Sequence, residues 1–435
     1  MRPPVERSVA SAVTVDDVWA GHPVGFDLST DDGRQFVAYY DAERRLTVAQ
    51  RDLGASHRDP ESQWTRTRLD ERVGWDSHND VVLAVDDAGH VHVSGNMHVD
   101  PLVYFRSADP LDATTLRRVD GLVGRDEDAV TYPTFLSGPD GDLVFGYRDG
   151  GSGDGRRLLN GYDPETETWR RLLDEPLLDG RGEMNAYPTG PTRGLDGDYH
   201  LAWVWRNTPD AATNHDLSYA RSPNLVDWER ADGTALDLPI TADDGAVVDP
   251  VPPGEGLLNS NVALGFDADG RPVLSYHRFG DEGHTQVYAA RLDGDGDAAG
   301  ADEWTITQIS DWAYRWEFGG QGTLDDEILV DPVRVVDGDL VQTFWHAEYG
   351  PGRWLLDGKT LTPQRTDAPW HGLPDELRRP AERDDYEVQW AVDSSAGAGD
   401  DGRTRALRWE TLPANRDRAR AERPEPTTLS LYTLS

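Results

Sequence analysis

His78, Tyr132 and Tyr187 each stand about ten residues before the glycine of an Asp-Gly-type turn, and His98, Arg148 and Arg206 stand about eight residues after the same three glycines. The first set lies in DSHNDVVLAVDDAG, TYPTFLSGPDG and AYPTGPTRGLDG, the second in VHVSGNMH, VFGYRDG and LAWVWRNT. Strands flanking a hairpin turn run antiparallel, so residues at matched distances before and after it return to one end of the sheet. Asn79 and Asn261 from first strands and Arg278 from a second strand extend the set, and His346 and Glu348 follow in a later unit. Imidazoles, phenols and guanidiniums converging at one mouth make a site for an anionic substrate.

A uronic acid suits such a set. Breaking its 4-linked bond by β-elimination needs a cation to neutralise the carboxylate and stabilise the intermediate's charge. It also needs a base for the C5 proton and an acid for the leaving oxygen. Arg supplies the first, and His and Tyr supply the others. Two further readings stay open. A sialidase-like glycoside hydrolase would use Arg148, Arg206 and Arg278 as a carboxylate-binding triad. It would also need an Asp acid/base and a Tyr–Glu pair, for which only Glu348 offers itself. A non-catalytic glycan-binding propeller would keep the aromatics and arginines but would not need two His and a Tyr at one mouth. Plainer roles fit other residues. His92 alternates with apolar neighbours and reads as a satisfied core histidine; Tyr39, Tyr40 and Tyr147 read as packing residues; the arginines have many acids to pair with. No nucleophile-elbow, zinc-protease, Walker or Rossmann motif stands in a convincing context.

The elements that must position these residues repeat. The turns are TDDG at 30–33, DDAG at 86–89, PDG at 139–141, LDG at 195–197, DADG at 267–270 and VDG at 336–338. Each is followed by an aromatic-rich strand (QFVAYY, HVHVSG, DLVFGY, YHLAWVW, PVLSYH, LVQTFWH) and then by a third strand. Trp64, Trp169, Trp228 and Trp304 open fourth strands. Four strands per unit predict an all-β fold, a seven-bladed β-propeller with four-stranded antiparallel blades. The seventh unit is read in YEVQWAVDSS and TRALRWETL, within 386–412. Residues 1–19 are read as an N-terminal extension, 20–412 as the propeller and 413–435 as a C-terminal segment with TTLSLYTLS a candidate closing strand. ANRDRARAERPEP is read as a solvated connector.

The chain has 435 residues, 80 of them acidic against 42 basic, for a net charge of −38. A single lysine, Lys359, accompanies the arginines. The acids are spread through nearly every loop, a composition that resembles proteins of salt-accumulating haloarchaea. Self-repulsion on this scale is screened by salt; the Debye length falls from about 30 Å at 0.01 M to about 3 Å at 1 M. The melting temperature is therefore expected to rise steeply between those concentrations of KCl, and a flat response in thermal melts contradicts the halophilic reading. So negative a chain is unsuited to nucleic acid. There is no cysteine, hence no disulfide or thiolate metal site. The opening MRPPVERSVASAVTVDD lacks the apolar stretch of a secretory signal, and no apolar run approaches the ~18 residues that span a bilayer. The expectation is a cytoplasmic chain without membrane association, or a secreted one if an export signal has been removed. The Asp-Gly run at 292–297 resembles a calcium loop but lacks the downstream bidentate Glu. It reads as a solvated turn; no cofactor is required by the chemistry, and a structural calcium stays open.

HNDVVLAVDDAGHVHVSGNMHVDPLVYFRS, TYPTFLSGPDGDLVFGYRDGGSGDGRRLLNGYD and NAYP together resemble the BNR-4 repeat proteins, over about residues 20–360. That family includes seven-bladed propeller polysaccharide lyases acting on ulvan and on rhamnose–glucuronate glycans. The resemblance implies that His78, His98, Tyr132 and Arg148 line a catalytic centre and that Tyr187 is a further contact. On this reading Arg148, with a protonated His78, neutralises the carboxylate. His98 and Tyr132 transfer protons, with base and acid not yet distinguished. Asn79, Tyr187, Arg206, Asn261 and Arg278 bind the substrate, an anionic uronate-containing glycan.

Overall fold

The six turns read from the sequence are present, and their chemistry is glycine's. Gly33, Gly89, Gly141, Gly197, Gly270 and Gly338 all have φ between +75° and +93°, a region that strains any residue carrying a Cβ. Each turn feeds an aromatic-rich strand that is buried along most of its length, as in Arg34–Tyr40 and Tyr199–Arg206. Strands covered on both faces need no polar alternation, which is why apolar residues fall on both faces of these.

The computed structural model describes residues 8–54, 63–293, 304–366, 374, 377–381, 383–393, 395 and 403–435. These residues form seven antiparallel sheets. The first is Asp27–Asp31, Arg34–Tyr40, Arg45–Asp52 and Thr65–Arg72. The second is Val81–Val85, Val91–Gly95, Tyr104–Ser107 and Leu116–Arg118. The third is Val130–Ser137, Leu143–Gly151, Asp154–Asp163 and Thr168–Arg171, extended by His98–Asp100 and Leu178–Asp179. The fourth is Asn185–Arg193, Tyr199–Arg206, Asn214–Ser222 and Val247–Asp249. The fifth is Ala263–Phe266, Pro272–Phe279, Thr285–Leu292 and Trp304–Gln308. In the sixth, Ile328–Val330 and Arg334–Val336 both pair with Asp339–His346, followed by Gly352–Leu356 and Pro363–Thr366. The seventh is Glu387–Val392, Thr404–Thr411, Thr427–Leu434 and Val9–Val18.

Neighbouring sheets pack on one another in chain order. Asp27–Asp31 packs on Val81–Val85, which packs on Val130–Ser137; Asp154–Asp163 meets Asn185–Arg193, which meets Ala263–Phe266, which meets Arg334–Val336. The first and seventh sheets touch as well, with Phe26 and Trp409 stacked at 4.4 Å between ring centroids. Burying side chains of this size contributes ~1.5–3 kcal/mol each. The outer strand Thr65–Arg72 is exposed and rich in arginine and acid, the charged edge that discourages pairing between molecules.

Three features depart from the repeat as read. Val9–Val18, inside the stretch read as an extension, is the outermost strand of the seventh sheet, paired with Thr427–Leu434. Trp228 opens no outer strand. Its indole donates to the Leu225 carbonyl, and the fourth strand of its sheet is Val247–Asp249. His98 does not end the second strand of its sheet; that strand stops at Gly95. Among the described residues no helix is long and apolar enough to cross a membrane. Most of the Asp-Gly run at 292–297, where the calcium question lay, falls outside the described residues.

Candidate functional site

Tyr132 sits at a break in its own strand. The pairing between Val130–Ser137 and Leu143–Gly151 slips between Thr131 and Thr134, where Pro133 has no N–H for the ladder. Tyr132 has φ +53°, a conformation that a bulky residue keeps only when its surroundings hold it there. Bulges of this kind re-aim a side chain at the end of a sheet. His98 reaches the same place by a second irregularity. The chain turns at Asn96 and Val99, both with positive φ, and His98–Asp100 leaves its own sheet to pair with Val130–Ser137. The Val99 N–H donates to Thr131 Oγ1 at 2.8 Å and fixes the crossing.

The two imidazoles share one carboxylate. His78 Nδ1 lies 2.7 Å from Asp76 Oδ1, and His98 Nδ1 lies 2.6 Å from Asp76 Oδ2. The rings are 4.2 Å apart between centroids, and the Tyr132 ring is 6.0 Å from His78 and 6.4 Å from His98. Neither Nε2 has a hydrogen-bond partner among the described residues, and neither does the Tyr132 hydroxyl. Burial works against charge on His78, but the hydrogen bond to Asp76 and the charges of Asp417, Asp76 and Asp80 outweigh it and raise its pKa. Burial would likewise raise Asp76, yet the bonds from both histidines hold its carboxyl far below the usual range. Burial, then the neighbouring Tyr187, push the Tyr132 phenol up, against the pull of Arg148 and Arg206. The phenol is therefore neutral and able to donate.

Removing the Asp76 charge should let His78 give up its proton more easily. In Asp76→Asn, the His78 imidazole followed by NMR is expected to titrate at lower pH than in the parent protein. An unchanged or higher midpoint contradicts the ion-pair account.

Arg148 is 3% exposed. Its Nε donates to the Gly150 carbonyl at 3.1 Å and its Nη1 to the Tyr187 hydroxyl at 3.4 Å, while Nη2 is buried without a partner. No carboxylate pairs with it among the described residues. Its guanidinium carbon lies 4.9 Å from the Tyr132 ring centroid and 5.8 Å from that of Tyr187. Gly155, across the ladder, makes room for it, since a Cβ there would fall 3.0 Å from the Arg148 side chain. Arg206 also lies over Tyr187, at 5.4 Å, and donates to the Thr208 carbonyl at 3.1 Å. Ser152 Oγ is 2.7 Å from the Tyr187 hydroxyl.

These groups line a cavity of about 410 Å³ whose walls include Ser77, His78, Tyr132, Arg148, Tyr187 and Arg206. His98 is not among the lining residues; it adjoins His78, with the rings tilted at 31°, through the shared Asp76 carboxylate. Asn79, Asn261 and Arg278 lie outside the cavity's lining. The Asn79 carbonyl accepts from Tyr40. Asn261 bonds the Ile328 carbonyl and the Val330 N–H, tying the fifth sheet to the sixth. Arg278 pairs with Asp249 at 2.8 Å and lies over Tyr288. His346 is enclosed by Trp312, Tyr314 and Tyr349. His92 is fully buried against Asp86 and Tyr104, as its alternation implied.

Four contributors escaped the sequence. Asp76, two residues before His78, had a local signal in the DSH order. Asp417 had none. It accepts from Ser77 and Thr323 and lies 3.5 Å from His78 Nδ1, yet belongs to the connector read as solvated. Arg157 and Asp326 also line the cavity. Burial, with Asp325 and Glu387 nearby, pushes the Asp326 carboxyl up to about 6. Asp76, His78 and His98 offer ligand atoms within 4.8 Å of one another, and in this structure both Nδ1 atoms face the Asp76 carboxylate.

The sequence profile described as "BNR repeat-containing family member" matches residues 34–312. The chain belongs to this BNR-4 family. It is 27% identical over 129 residues to the short isoform of an ulvan lyase from Alteromonas sp. (strain LOR), a stretch covering 27% of this chain and 24% of that protein. The matched stretch thus spans about a quarter of the relative's length. Among solved structures it shares its fold with the polysaccharide lyase Uly1 (TM-score 0.65, 13% identity, 98% of this chain and 99% of the other). It likewise shares its fold with an ulvan lyase of family PL25 solved bound to -[GlcA(1-4)Rha3S]- (TM-score 0.63, 14% identity, 97% and 95%).

Proposed function

We propose that the seven sheets are the blades of one seven-bladed propeller, closed by pairing of its N- and C-terminal strands, and that the chain is a polysaccharide lyase. Its substrate is an anionic, uronate-containing glycan bound in the cavity between His78 and Arg206. The observation that carries this reading is Arg148: a buried guanidinium with no carboxylate partner among the described residues, in a chain with nearly two acids for every base. A buried cation left unpaired costs stability, and a substrate carboxylate supplies the missing partner.

In the proposed reaction Arg148, aided by protonated His78, neutralises the uronate carboxylate. This acidifies the C5 proton and stabilises the charge that builds as it leaves. His98, oriented by Asp76 through Nδ1, takes that proton at Nε2. Tyr132, kept neutral by burial, gives its proton to the leaving oxygen as the C4–O bond breaks and the C4–C5 double bond forms. Tyr187 and Arg206 hold the sugar. These steps draw on side chains alone. The membership of the BNR-4 family and the shared fold with ulvan lyases support the assignment.

Product masses test it. Incubation with glucuronate- or iduronate-containing glycans in high salt is expected to give fragments one water lighter than hydrolysis products. Fragments carrying the added water identify a hydrolase, and tight binding with no fragments identifies a glycan-binding propeller.

A further inference from the structure

We infer that Arg157 is a positioning residue for this reaction, holding Tyr132 in the backbone conformation that turns its phenol toward the histidines. The inference rests on the lyase reading. Arg157 is 5% exposed and stands directly across the ladder from Arg148. No carboxylate pairs with it among the described residues, and burial, with the neighbouring Arg148 charge, lowers its pKa to about 10. So costly a group is explained by what it holds. Nη1 donates to the Tyr132 carbonyl at 3.1 Å and Nη2 to Thr134 Oγ1 at 2.7 Å. The two acceptors bracket Pro133, so one planar fork spans the register break and the left-handed Tyr132. A lysine ammonium lacks that fork. Gly146, paired with Thr134, leaves the guanidinium its passage; a Cβ there would lie 2.7 Å from Arg157 Nη2.

The test compares Arg157→Lys and Gly146→Ala in the parent protein and in Tyr132→Phe. A small misplacement of a reacting group costs about 10²-fold, so kcat on a cleaved uronate glycan is expected to fall by about that factor with KM nearly unchanged. Because the loss acts through the phenol, the same changes in Tyr132→Phe should alter kcat by no more than about threefold. An equal loss in both backgrounds overturns the inference, as does a rise in KM with kcat retained, which would make Arg157 a direct substrate contact. If the parent protein yields no unsaturated product, the lyase reading fails, and a crystal structure of either variant still decides the positioning role. Tyr132 leaving positive φ supports it; an unmoved Tyr132 overturns it.

Discussion

Arg148→Ala is expected to lower kcat by ~10²–10³-fold, the usual loss on removing one donor aimed at developing charge. The argument is electrostatic. Arg148 is enclosed, its Nη2 has no protein partner, and its remaining bonds go to neutral oxygens. No carboxylate among the described residues pairs with it, so its full charge is available to an anion in the cavity. The low local dielectric makes that charge worth far more than on the surface. Against its burial, Asp76 and Asp417 raise the pKa of His78, but the same carboxylates offset the charge it carries, so it is a poor substitute for Arg148. Steady-state kinetics alongside a thermal melt check this. A folded Arg148→Ala protein retaining parent turnover removes Arg148 from the reaction.

Tyr132→Phe is expected to lower kcat by ~10²–10⁴-fold, the range associated with a positioned general acid or base. The substitution keeps the ring, its contacts with His78 and Tyr187 and the cation–π geometry with Arg148. It deletes only a hydroxyl that bonds no described residue. The melting temperature should therefore stay close to that of the parent while turnover collapses. If turnover and stability fall together, the hydroxyl is structural; if neither falls, Tyr132 transfers no proton.

His78, Tyr132, Arg148, Tyr187 and Arg206 were legible because each lies at a fixed distance from a turn glycine, and hairpin geometry carries such residues to one end of the sheet. His98 was found for the wrong reason. It reaches the site on a short strand built by two left-handed residues, which no turn periodicity encodes. Asn261 and Arg278 obey the same spacing yet serve the sheets, the first bonding backbone and the second Asp249. Equivalent positions in a repeat share geometry, and the local partners decide the role. Asp417 lies 340 positions from Ser77 in the chain, a contact that no local pattern encodes. Val9–Val18 could not be recognised as a strand of the seventh sheet because its pairing partner is the far end of the chain.

The most direct test of the central claim is ultraviolet absorbance during incubation of the protein with a glucuronate- or iduronate-containing glycan in high KCl. Elimination leaves a C4–C5 double bond conjugated to the carboxylate, which absorbs; hydrolysis and binding leave none. The account predicts a steady rise that Arg148→Ala and Tyr132→Phe each slow by at least about 10²-fold. New reducing ends without any rise in absorbance would contradict it.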